Sequence, residues 1–200
     1  MQLRKTINDI TDAVDMLTTE ESKTKFAHTS VFTQENGLDN FILSKFNVNV
    51  DCNAAGNSAK CFANEGNSNP QLRTYISIDS SMERGFNCPD GRQYLLANGS
   101  AICVNRDGNN LLFYIDINGP EKPNVGGRDM FAIYFVNERF LKGNNAVEVE
   151  DCSEKYETEE EIKACELKNE EIGTRDDCKK SPFGFSCYGN IVDANWKMDY

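Results

Sequence analysis

Eight cysteines constrain this chain more than any other feature of its sequence: Cys52, Cys61, Cys88, Cys103, Cys152, Cys165, Cys178 and Cys187. The number is even, no CxxC pair occurs, and the chain has a single His. Zinc modules draw their Cys and His ligands from tight pairs, typically about two to four residues apart, so a zinc module does not fit. The remaining reading is four disulfides made in an oxidising compartment: a cell surface, a periplasm or a secreted assembly. Eight cysteines allow roughly a hundred connectivities. The expectation is local pairing in chain order, Cys52–Cys61, Cys88–Cys103, Cys152–Cys165 and Cys178–Cys187, with the last two pairs open to exchange. Short loops of this kind contribute about 2–3 kcal/mol each in the chain-entropy model.

The 200 residues are 39% hydrophobic, enough for one domain with its own core. The net charge of −11 repels phosphate backbones and anionic lipid, so neither nucleic acid nor a membrane surface is an expected partner. The same acidity suits hard cations. No apolar run long enough to be a signal peptide or a membrane span occurs, and Met1 is followed directly by the polar QLRKTINDI. Either the chain is cytosolic, against its cysteines, or the native N-terminus has been cut away and Met1 is not the native start; the second is the expectation.

Leu3, Ile7, Ile10, Val14 and Leu17 recur at spacings of three and four, which predicts an amphipathic helix over 2–22. Residues 23–73 are irregular, with Phe26, Val31, Phe32, Phe41, Ile42 and Phe46 as apolar anchors. The Asn-, Gly- and Ser-rich stretch 53–70 reads as an exposed excursion closed by Cys52 and Cys61. Tyr75, Ile76 and Ile78 suggest a short strand. QYLLA (93–97) and SAICVN (100–105) flank Asn98-Gly99, a strong hairpin signal. With LLFYIDI (111–117) and MFAIYFV (130–136) they make a four-stranded antiparallel meander, one face of which the N-terminal helix would cover. Residues 157–172 read as a helix carrying Cys165, its acidic run a solvated face. Residues 186–198 read as a short final helix or tail, with Tyr188 and Trp196 packed on the body. The fold expected is one α+β domain over 1–200: a helix stem at 1–22, a β-meander at 74–150 and a disulfide-bounded C-terminal region at 151–200.

Catalytic signals are thin. A Ser–His or Cys–His pair would need His28, which falls at a predicted helix end, and the cysteines are expected to be oxidised. No phosphate-binding glycine motif occurs. No carboxylate pair stands out among 32 acidic residues, so a hydrolase is a minor alternative. Asn98-Gly99-Ser100 matches a glycosylation acceptor, but the hairpin already accounts for it.

The loop 116–129 carries the one candidate site. Asp116, Asn118, Asn124 and Asp129 are oxygen-bearing groups on a Gly/Pro-rich segment, with Glu121 between them. Calcium takes about six to eight oxygens from such loops. The spacing departs from the EF-hand pattern, which excludes that motif. The structural alternative is Asx-turns at Asp116 and Asn118, positive φ at Gly119 and Gly126, and an ion pair from Arg128 or Lys122 to Asp129. No cofactor is required; calcium is the one candidate ion.

Three segments carry a resemblance. LRKTINDITDAVDML (3–17) resembles the part of a type IV pilin helix that follows its membrane-spanning half. The stretch 96–135, with its D-x-N-G…P-N…G-x-D-x-F loop, resembles the sheet of a group of bacterial pilin-like proteins, and CYGNIVDANWKMDY (187–200) resembles the ending of the same group. The chain is thus similar, over about half its length, to type IV pilins and to the pseudopilins of type II secretion. The resemblance implies a non-catalytic structural subunit, major or minor, of an extracytoplasmic filament. Its partners would be other such subunits, joined through an apolar helix removed upstream of Gln2. The family's basic leader, cleavage Gly, Phe and Glu are not among these residues. A secreted binding module or adhesin on the same fold, with or without calcium, is the alternative.

Overall fold

The computed structural model describes residues 2–54, 56–88, 91–143, 150–170 and 178–198. The N-terminal stripe folds as its spacing requires: α1 spans Gln2–Glu20, and Leu3, Ile7, Ile10, Ala13, Val14 and Leu17 are all buried. The helix ends where Ser22 turns left-handed (φ 51°). The amides of Ser22 and Lys23 then return to the carbonyls of Thr19 and Thr18 at 3.0 and 2.9 Å, a Schellman closure that stops the helix two residues short of the expected end.

The apolar anchors of the next segment hold three short turns of helix, a 3₁₀ turn at Phe26–His28, α2 at Ser30–Thr33 and α3 at Gly37–Lys45. Phe26 sits at their centre, with the rings of Phe32 and Phe41 each 5.5 Å away and that of Phe135 5.9 Å away.

The sheet is larger than expected. Strands β1 (Val48–Asp51), β4 (Arg92–Leu96), β5 (Ala101–Asp107), β6 (Asn110–Asp116), β7 (Met130–Val136) and β8 (Arg139–Phe140) form one antiparallel sheet in the order β1-β4-β5-β6-β7-β8. The predicted four-stranded meander is its centre, β4 to β7. A strand is added at each edge, and both were hidden in sequence for physical reasons. The first is four residues long with a register irregularity between Val48 and Val50. The second has two residues and follows a turn at Asn137-Glu138, where both φ angles are positive without a glycine. Separately, β2 (Tyr75–Ile76) pairs with β3 (Glu83–Arg84); Ile78 lies outside the strand.

Both faces of the central sheet are covered. Alternating side chains divide between two cores, as strand geometry demands. Ile102 and Val104 of β5, Leu111, Phe113 and Ile115 of β6, and Phe131, Ile133 and Phe135 of β7 share one core with the α1 stripe. Ala101 and Cys103, Tyr114 and Met130 face the other way, into a second core with Cys52, Cys61, Phe62, Ala63, Tyr75, Phe86, Cys88 and Phe183. The excursion 53–70 is therefore not wholly exposed. Cys61, Phe62 and Ala63 are completely buried, and the Phe62 and Phe86 rings lie 4.7 Å apart.

All four expected disulfides are present in chain order, Cys52–Cys61, Cys88–Cys103, Cys152–Cys165 and Cys178–Cys187, and no cysteine is free. In the C-terminal third, α4 (Cys152–Lys155) is capped by the Asp151 carboxylate, and at the start of α5 (Glu159–Glu170) the Thr158 hydroxyl accepts from the Glu161 amide and donates to the Glu161 carboxylate. The predicted helix end at 171–172 lies outside the described residues. A last helix, α6 (Cys187–Asp193), brings Tyr188 and, beyond it, Trp196 against the first core. No helix among the described residues is long and apolar enough to cross a membrane.

Candidate functional site

The loop between β6 and β7 is anchored on three sides. At its neck the Ile117 amide donates to the Asp129 carbonyl at 2.8 Å, extending the ladder in which Asp116 faces Met130. On one flank, residues 124–126 run beside β2: the Ile76 amide donates to the Asn124 carbonyl at 2.9 Å and the Gly126 amide to the Ile76 carbonyl at 3.0 Å. On the other flank, Gly126 lies against the Ser181-Pro182 backbone so closely that a Cβ there would fall 2.2 Å from the Ser181 carbonyl oxygen. Only a residue without a side chain fits. The left-handed positions are Gly119 (φ 65°) and Gly127 (φ 83°), so Gly126 is required for close approach rather than for the positive φ expected of it.

Three of the four candidate residues, Asn118, Asn124 and Asp129, fall in this loop, and Asp116 is the last residue of β6 at its neck. Asp116 is fully buried on the second-core face of β6. Its Oδ2 accepts a short hydrogen bond from the Tyr75 hydroxyl, and its Oδ1 accepts from the Asn118 amide at 3.1 Å, the expected Asx-turn. The Asn118 side chain bridges the loop, its Nδ2 donating to the carbonyls of Glu121 at 2.8 Å and Pro123 at 3.4 Å. The Lys122-Pro123 peptide is cis. Asp129 is 3% exposed, and its Oδ1 accepts from the Val125 amide at 2.7 Å.

The expected ion pair to Asp129 is not made. Neither Arg128 nor Lys122 is among the ion pairs of the described residues, and Arg128 acts on the carboxylate only through space. Burial pushes the Asp129 carboxyl up to about 7, against hydrogen bonds from the Val125 and Asp129 amides that pull it down. Burial likewise raises Asp116 well above the usual carboxylate range, opposed by the Tyr75 hydrogen bond and reinforced by the charge of Asp129. The Tyr75 hydroxyl is driven far up by its own burial and then by the Asp116 charge.

Six buried side-chain polar atoms of the described residues lack a hydrogen-bond partner, and four are in this loop: Asn118 Oδ1, both amide atoms of Asn124, and Asp129 Oδ2. Among the described residues no group of three or more His, Cys, Asp and Glu side chains gathers as a metal site. The loop offers two carboxylates and two amides, a donor set that is oxygen-rich but only half acidic.

Sequence reasoning missed Tyr75 as the partner of Asp116, since the two stand 41 residues apart. The other candidates resolve plainly. His28 is exposed at the end of its 3₁₀ turn. Ser100 of the Asn98-Gly99-Ser100 triplet is fully buried, and its amide donates to Asn98 Oδ1 at 2.9 Å, so the triplet serves the hairpin. A cavity of about 200 Å³ between β8 and α5 is lined by charges that already pair, Lys25 with Asp151 at 2.8 Å and Arg139 with Glu166 at 2.6 Å.

No protein-family model, curated protein or solved structure matches the chain significantly.

Proposed function

We propose that this chain is the head of a non-catalytic structural subunit, of the pilin or pseudopilin kind, in an extracytoplasmic filament. The observation that carries the reading is α1. One side of it is wholly absorbed into the core, while Arg4, Lys5, Asn8, Asp12, Asp15 and Met16 stay exposed along the other. A helix half-embedded in a disulfide-bonded α+β head is the arrangement the resemblance calls for. The four bridges support an oxidising, extracytoplasmic setting. The partners in this reading are other subunits of the filament, joined through the apolar helix that the resemblance places before Gln2. The exposed parts of 47–72 and 151–190 are the contact surfaces.

A non-catalytic role is supported by the chemistry present. The sole His is exposed on a turn, and every thiol is bridged. The test is to express the full native gene in its own cell and examine the sheared surface fraction by immuno-electron microscopy with antibody to this head. Labelled filaments, lost when the helix preceding the head is deleted, are expected. Recovery of the head only as a free secreted monomer would overturn the reading in favour of a binding module.

A further inference from the structure

We propose that the Cys152–Cys165 bridge is a thiol-exchange site, opened by a neutral or cationic thiol so that α5 is released from the body of the protein. The inference does not depend on the filament reading.

The four bridges are not equivalent. Cys52–Cys61 and Cys88–Cys103 belong to the second core and Cys178–Cys187 to the first. Each of these three contains one half-cystine with no exposed surface at all. Cys152–Cys165 lies in neither core, and its residues are 4% and 7% exposed. A thiol reaches a core bridge only after the core opens, whereas this one needs only a local opening.

The helix depends on the bridge. Among the described side chains of α5 only Cys165 and Asn169 are buried, one turn apart. A helix of its length, 12 residues, is marginal in water by itself. Its ion pair, Arg139 to Glu166, is 44% and 34% exposed and adds little. Asn169 is the remaining tie: its Oδ1 accepts from the Glu150 amide at 3.2 Å and its Nδ2 donates to the Glu150 carbonyl at 2.8 Å. Glu166 and Asn169 wall the cavity of about 200 Å³ together with Val136 and Leu141. Release of α5 therefore uncovers that apolar pair, now 4% and 2% exposed.

The same Asn169 sets the direction of exchange. Its Nδ2 also donates to Cys152 Sγ at 3.1 Å and stands farther, 4.0 Å, from Cys165 Sγ. A hydrogen bond to sulfur favours the thiolate, so Cys152 is the better leaving group. The incoming thiolate attacks Cys165 Sγ, the S–S bond breaks, and its electron pair leaves on Cys152 Sγ, which then takes a proton from water. The second thiol of a dithiol reagent loses its proton and attacks the mixed disulfide, and Cys165 leaves in turn. Two electrons pass from the dithiol to the bridge, and the reagent departs as its own disulfide. Charge selects the reagent. Residues 150–170 hold nine acidic and three basic side chains, which repel an anionic thiol.

The test treats the oxidised full chain with dithiothreitol under native conditions, quenches with N-ethylmaleimide and maps the labelled cysteines by mass spectrometry. Cys152 and Cys165 are expected to be labelled at least about tenfold faster than any other pair. Earlier opening of another bridge, or opening of all four together, would overturn the site. With excess cysteamine the trapped mixed disulfide should sit on Cys165, leaving Cys152 as the alkylated thiol; the reverse would overturn the direction of attack. At equal thiolate concentration and low salt, cysteamine should react at least about threefold faster than glutathione, a ratio that shrinks with added salt. Equal rates would overturn the selectivity. Hydrogen exchange of the singly reduced protein should show α5 losing protection while α1 and β4 to β7 keep theirs. Protection retained in α5 would overturn its release. The Cys152→Ala, Cys165→Ala double variant should reproduce the released state with both cores intact, and its failure to fold would overturn the independence of this bridge.

Discussion

The two faces of the central sheet solve the same problem with different materials. The face under α1 is covered by a helix and its following turns, and its core is built from aliphatic and aromatic side chains, with Cys178 and Cys187 at its margin. The opposite face has no helix among its buried residues. It is covered by segments of 52–63, 75 and 86–88, and four of its ten buried residues are half-cystines. Regular structure satisfies its own backbone and presents a continuous apolar stripe, so it needs less covalent help, the one bridge in this core being Cys178–Cys187. Irregular chain buries less apolar area per residue ordered, and cross-links compensate by limiting the unfolded ensemble. The polar loop with Asp129 adjoins this second face, so two of the four disulfides, the buried carboxylates of Asp116 and Asp129 and the orphaned amides of Asn118 and Asn124 lie on one side of the central sheet.

If that division holds, the largest single effect belongs to the helix-covered face. Phe113→Ala removes a fully buried ring that packs against Phe135 and Phe140, and should lower stability by about 3–5 kcal/mol in urea unfolding. That loss should be the same at pH 4 and pH 7.

The second face should instead respond to pH. Asp129, near 3.8 when unfolded and about 7 when folded, binds its proton more tightly in the native state. Its contribution is therefore fully present below about pH 4 and is lost as pH rises to about 7. The change is on the order of 4 kcal/mol across that window. Asp129→Asn should flatten this slope, measured as unfolding free energy against pH; an unchanged slope would assign the pH dependence to other groups.

Removing the Cys88–Cys103 bridge as a paired Ala variant should cost about 3 kcal/mol for its separation of 15 residues. Hydrogen exchange would show where. Amides around 61–63 and 86–88 should lose protection while those of α1 keep theirs. Equal loss in α1 would mean that the two faces open as one unit, and the comparison would fail.

What could be read in advance divides along the same line. The α1 stripe, the Asn98-Gly99 hairpin and strands β4 to β7 are periodic signals over consecutive residues, and they folded as their patterns require. Pairing in chain order followed from short separations. The second core was hidden because Cys61, Phe62 and Ala63 are three buried residues inside a stretch of Asn, Gly and Ser, too few to show a period. Of the candidate site, the four oxygen-bearing residues and the Asp116 Asx-turn were legible from composition and spacing. The Tyr75 hydroxyl on Asp116 was not, nor was the burial that leaves Asp129 Oδ2 without a partner, because both depend on contacts between distant segments.

The disulfides have a further consequence for how such a chain is made. Their rings close over 52–61, 88–103, 152–165 and 178–187, one after another, with none nested in or crossing its neighbour. A chain threaded N-terminus first through an export channel delivers both halves of each bridge together, before the next pair emerges. An oxidase acting at the channel mouth would therefore meet correct partners in succession. Oxidation in that order needs no later shuffling by an isomerase.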